Sequence, residues 1–87
     1  MGFKEILREI LEWAEYEVDF VATYVCVDMC GTVWVRNSKP FIHPEYSNEE
    51  FAIISNNMAR KVTDSRMAIK LIQKSKTSNW EEMVWEL

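Results

Sequence analysis

The stretch Tyr24-Val25-Cys26-Val27-Asp28-Met29-Cys30-Gly31-Thr32-Val33-Trp34-Val35 decides how the chain folds. Asp is favoured at the start of a type I turn, and Gly tolerates the left-handed conformation that follows it. Asp28 and Gly31 therefore predict a three-residue hairpin loop closed by a bulge. In that register Asp28 faces Thr32, Val27 faces Val33, Cys26 faces Trp34 and Val25 faces Val35. One sheet face then carries Val25, Val27, Val33 and Val35. The other carries Tyr24, Cys26, Trp34 and Arg36. A slip by one residue would mix the two sets, so the clean sorting supports the pairing.

Upstream, Phe3, Ile6, Leu7, Ile10, Leu11 and Ala14 recur at three- and four-residue steps and predict an amphipathic helix to about Tyr16. Glu5, Glu9 and Glu12 share the opposite face. From Val18 the residues become β-branched and aromatic, which suits a strand. No Gly or Pro divides the two segments, so one long helix to about Asp28 stays open.

Downstream, Asn37-Ser38-Lys39-Pro40 reads as a turn and Phe41-Ile42-His43 as a short third strand ended by Pro44. Ser47-Asn48-Glu49-Glu50 is a capping-box pattern. It predicts a helix to about Lys61 that buries Phe51, Ile54, Met58 and Val62. Thr63-Asp64-Ser65 supplies a break and a new cap. A helix over 66–74 would then bury Met67, Ala68, Leu71 and Ile72, with a strand as the alternative because Met67, Ile69 and Leu71 alternate. Trp80, Met83, Val84 and Leu87 form a helical stripe after a second capping box at Ser78–Glu81, with a final strand as the alternative. The expected fold is a single α+β domain over residues 1–87. It has an N-terminal helix, an antiparallel β-hairpin or three-stranded meander, and C-terminal helices packed on one sheet face.

The composition is that of a globular chain: 87 residues, 48% hydrophobic and 28% charged, with 2 Gly and 2 Pro. A domain of this size buries roughly 60–65% of its unfolded surface, so its stability is modest. No apolar run approaches the roughly 20 residues that span a bilayer. Lys4, Glu5, Arg8 and Glu9 interrupt any signal-peptide core. Ile6 stands where a myristoylation motif wants Ser or Thr. The expectation is a cytoplasmic protein without a membrane partner, in a reducing compartment that fits two cysteines.

Those cysteines carry little chemistry on this reading. The hairpin places their Cα atoms roughly 9–11 Å apart at about 3.3 Å per strand residue. A disulfide needs about 4.4–6.8 Å. Zinc would require His43 and a carboxylate such as Asp28 or Glu45 as further ligands. A thiol–imidazole dyad would have to join Cys26 or Cys30 to His43, and no third orienting group is evident. No phosphate loop, dinucleotide fingerprint or HExxH motif is present. The expectation is no enzyme, no cofactor and no metal site.

Charge is distributed unevenly. Residues 1–24 hold two cations against six carboxylates, a net of −4, whereas residues 57–76 hold six cations against one carboxylate, a net of +5. Arg66, Lys70 and Lys74 are spaced by four and line one face of a helix. They are candidate contacts for an anion or a partner. Tyr24, Trp34 and Arg36 are the second candidate set, because aromatics beside Arg stack on bases or anchor protein interfaces. Both sets can equally serve as solvated or packed surface. Glu5, Glu9, Glu12 and Glu15 could mimic phosphate towards a basic partner.

The expected function is a small non-enzymatic binding protein, of the accessory or anti-defence kind that viruses and phages carry. It would inhibit or sequester another protein or hold an anionic small ligand, and would form a homo-oligomer through exposed aromatics. The alternative is a binder of a nucleotide or nucleic acid through the basic 60–76 segment. The net charge of −4 weighs against general nucleic-acid affinity.

Overall fold

A computed structural model describes residues 2–41, 58–75, 77 and 79–87. In these residues a four-stranded antiparallel sheet carries two α-helices on one face, which is the expected α+β class. Helix α1 spans Phe3–Glu17 and buries Ile6, Ile10 and Ala14. It stops where the β-branched run begins. Val18 is already extended (φ −115°, ψ 154°), which excludes a continuous helix to Asp28.

Strands β1 (Tyr24–Val27) and β2 (Val33–Arg36) form the hairpin in the predicted register. Gly31 N–H donates to Asp28 O, and Asp28 N–H to Thr32 O, each at 2.9 Å. Gly31 sits at φ +85° with open space where a Cβ would go. The cost of a side chain there is therefore conformational. Gly31→Ala is expected to lose about 1–2 kcal/mol in urea unfolding, and Gly31→Asn less, because Asn tolerates the left-handed region.

The two edges of the hairpin are filled by segments that read first as helical. Ala59–Lys61 forms β3 against β2, so the helix predicted to reach Lys61 does not extend that far. The expected helix residues 47–57, with Phe51 and Ile54, lie outside the described residues. So do Ile42 and His43 of the expected third strand. Met58 is exposed rather than buried, whereas Val62 is buried as expected. At the C-terminus the strand alternative holds rather than the helix: after a 3₁₀ turn over Trp80–Glu82, β4 (Val84–Glu86) adds to the other edge of β1. Asn79 caps that turn by accepting from Glu81 N–H. Nine residues make a marginal helix, and the free edge of β1 offers ladder bonds instead. Two of these are Val27 N–H to Met83 O at 3.0 Å and Leu87 N–H to Thr23 O at 2.9 Å.

Helix α2 covers Ser65–Lys74. Asp64 caps it by accepting from the amides of Arg66 and Met67. The core lies between the helices and the valine face, where Val25, Val27, Val33, Val35, Val62 and Met83 meet Ile6, Ile10, Met67 and Leu71. The helices pack against each other. Phe3 and Lys4 share a cleft with Lys74, so the start of α1 adjoins the end of α2 and the two run antiparallel. Among the described residues no helix is long and apolar enough to cross a membrane.

Candidate functional site

The sheet face away from the helices carries two cross-strand rows. The register sets Ala59, Arg36, Tyr24 and Glu86 side by side, and next to them Lys61, Trp34, Cys26 and Val84. Tyr24, Trp34 and Arg36 are thus brought onto one face, as the alternation requires. This face is not an open platform. Arg36 and Asp28 are each only 4% exposed, and Cys26 is fully buried. Tyr24 and Trp34 are half-buried. The indole of Trp34 donates to Asp28 Oδ2 at 2.7 Å, and Arg36 Nε donates to Cys26 Sγ at 3.3 Å. The valine face is core, as its sequence implied; on the other face Cys26, Asp28 and Arg36 are also withdrawn from water, while Lys61 and Glu86 stay exposed.

Burial pushes the Cys26 thiol up to about 11. The bond from Arg36 and its positive charge oppose that shift, while the charge of Asp28 adds to it. The thiol is therefore protonated at neutral pH and poorly suited to nucleophilic attack or metal ligation, both of which need the thiolate. Cys30 is exposed on the turn, 3.2 Å from Thr32 Oγ1, and both cysteines are free. Among the described residues no three His, Cys, Asp or Glu side chains converge on a metal-sized site. His43 and Glu45, the other candidate ligands, lie outside the described residues.

Two consequences follow for the thiols. Iodoacetamide should add one label to the native protein, at Cys30, and two after unfolding in guanidinium, as read by mass spectrometry. The raised Cys26 value also links to stability. The folded state holds its proton to a higher pH than the unfolded state, so the contribution is complete below about 9. It is lost as the pH rises to about 11. Two pKa units correspond to about 2–3 kcal/mol. Urea titrations at pH 8 and 11 should show this loss in the native sequence and a smaller one in Cys26→Ala.

The basic segment divides in three dimensions. Arg60 and Lys61 are exposed on β3 and point to opposite faces of the sheet. Arg66, Lys70 and Lys74 are all exposed along α2, about 6 Å apart along its axis. Lys76 lies outside the described residues.

Comparison with known proteins finds no matching family model, no similar curated protein and no similar solved structure.

The feature that sequence reasoning missed is the apolar content of this helix surface. Ile72 was expected in the core but is 36% exposed, and Ile69 is 54% exposed. At 100° per residue, Ile69 stands nearly opposite the buried Met67 and Leu71. The signal was present in the alternation Met67, Ile69, Leu71, which no single helix face can bury.

The acidic helix lies beside this surface. Leu7 and Leu11 of α1 line a groove with Glu86 and Leu87, so that flank meets the β4 edge. Helix α1 also packs against α2. Glu5, Glu12 and Glu15 are exposed. The acidic and basic segments are thus neighbours in one helical layer. Their separation in sequence becomes a lateral change of sign across the surface.

Proposed function

We propose that this chain is a non-enzymatic binding protein that inhibits or sequesters another protein, and that the outer face of α2 is its contact surface. The observation that carries the reading is Ile69, an isoleucine more than half exposed on the outer side of α2 with Arg66 and Lys70 as its charged neighbours. Ile72, on the same helix, is 36% exposed, so the apolar surface extends beyond one side chain. Such a surface suits an interface, because apolar centres with charged rims are the usual anatomy of recognition surfaces. The partner that fits is an acidic protein surface with an apolar patch at its centre.

A nucleotide or nucleic acid held through the 60–76 segment is the second reading, favoured by the i, i+4 row of cations on α2. The two readings differ in what they require. Phosphate contacts depend on Lys70 and Lys74 and weaken steeply with salt. A protein contact depends on Ile69 as well and weakens less. With the bound partner in hand, Ile69→Ser and the pair Lys70→Glu/Lys74→Glu should each lower affinity tenfold or more in a titration at 150 mM salt. Loss with the charge reversals and none with Ile69→Ser would select the nucleic-acid reading. Retention with both would remove α2 from the site.

Self-association accompanies the proposal. Tyr16, 91% exposed at the end of α1, is the aromatic best placed for it, and Val21 is exposed nearby in sequence. Tyr24 and Trp34 are half-buried and Arg36 is buried. They support the protein through the Cys26 face, and Trp34 beside Lys61 is the part of that face with exposed area left to offer.

A further inference from the structure

A cleft of about 440 Å³ opens where the start of α1, the end of α2 and β4 meet. It is lined by Phe3, Lys4, Lys74, Ser75, Thr77 and Trp85. Its volume falls in the range of about 300–1,000 Å³ that small-molecule sites occupy. The rings of Phe3 and Trp85 meet edge to face, with centroids 5.0 Å apart and planes at 67°. They present an aromatic corner. The hydroxyls on the opposite wall are already committed. Ser75 Oγ–H donates to Thr77 O, and Thr77 Oγ1–H donates to Glu82 Oε2 at 3.0 Å. Among the described residues, the polar groups left to greet a ligand are the ammonium groups of Lys4 and Lys74, both on exposed residues.

We propose that this cleft binds a small aromatic carboxylate: a planar body of one or two rings against Phe3 and Trp85, with its single carboxylate between Lys4 and Lys74. An aromatic guest packs edge to face or offset against such rings, where an aliphatic chain would leave the ring geometry unused. One negative charge suits the site. Two flexible lysines at an open mouth can meet a monoanion without either partner being fully desolvated. A dianionic phosphate would sit next to apolar rings and near the Glu82 carboxylate. The site is separate from the α2 apex at Ile69. It shares only Lys74 with the basic row, and it stands or falls independently of the protein-binding proposal.

The test uses the full chain and 1-naphthoate, with 1-naphthalenemethanol as the neutral probe of the same shape. Indole N–H signals report on the four tryptophans by NMR, and Trp85→Phe identifies the Trp85 signal. Naphthoate is expected to shift that signal saturably. The alcohol is expected to bind at least tenfold more weakly. Lys4→Gln/Lys74→Gln should bring naphthoate down to the level of the alcohol while thermal unfolding stays unchanged. Glu82→Gln should tighten naphthoate binding. Equal affinity for the two probes would overturn the proposal. So would saturable shifts confined to Trp13 or Trp34, full affinity in the double lysine variant, or no saturable shift at millimolar naphthoate.

Discussion

Arg36→Ala is expected to destabilise the protein by about 3–5 kcal/mol, the largest effect of any charge-removing substitution among the described residues. Arg36 is a residue that sequence reasoning offered as a contact, yet it is 4% exposed and donates through Nε to the buried Cys26. Asp28, equally buried, acts on the same thiol from the opposite sign. Two opposite charges therefore sit around one sulfur inside the protein. Truncating Arg36 takes a buried cation and its bond away from the Cys26 sulfur and removes the stem that packs on the sheet. Asp28 cannot simply be sacrificed, because its side chain receives the Trp34 indole N–H. Asn at position 28 keeps a side-chain oxygen for the indole without the charge. Arg36→Met/Asp28→Asn should accordingly recover part of the loss, and a double-mutant cycle in urea should show coupling above about 0.5 kcal/mol. Unchanged stability in Arg36→Ala, with partner binding lost, would return Arg36 to the list of contact residues.

Leu71→Ala and Ile69→Ala, two positions apart on α2, should behave in opposite ways. Leu71 is fully buried against α1 and the sheet, and its truncation is expected to cost about 3 kcal/mol through lost burial and the cavity left behind. In a small domain that is a large share of a total of about 5–15 kcal/mol. The variant should also loosen the helix that displays Arg66, Lys70 and Lys74. Ile69→Ala should change stability by less than about 0.5 kcal/mol, because its side chain points to water and Ala is the better helix former. Its effect should appear in binding. A helix that tolerates the loss of Ile69 and not of Leu71 has an apolar residue that folding does not need, and this is the reason to assign it to recognition.

How far the sequence carried the fold can be judged strand by strand. The hairpin was readable down to its register because Asp28, Gly31 and four alternating valines all demand the same pairing. Helix α2 was readable from Asp64 and the Met67–Leu71 spacing. The outer strands were not. Ala59-Arg60-Lys61 has no strand pattern of its own and takes its conformation from the open edge of β2. Val84-Trp85-Glu86 fits a strand or a helix equally well, and the edge of β1 decides. Both are tertiary choices that local propensity does not encode. The site residues divide for a related reason. Alternation placed Tyr24, Trp34 and Arg36 on one face correctly, but it cannot show whether that face meets water. Helical spacing placed Arg66, Lys70 and Lys74 in a row, and these remained exposed. The cleft beside Trp85 depends on β4 and so was invisible before the C-terminal strand was known.

The contact surface on α2 is tested most directly by a photoreactive side chain placed at position 69, with a second at Met29 as an equally exposed control on the hairpin turn. After irradiation in extract of the cells that make the protein, position 69 should join to one discrete protein. That product should disappear in the Lys70→Glu/Lys74→Glu background, and position 29 should give none. A product of equal yield from both positions, or a stable complex that position 69 never labels, would contradict the assignment of α2 as the binding face.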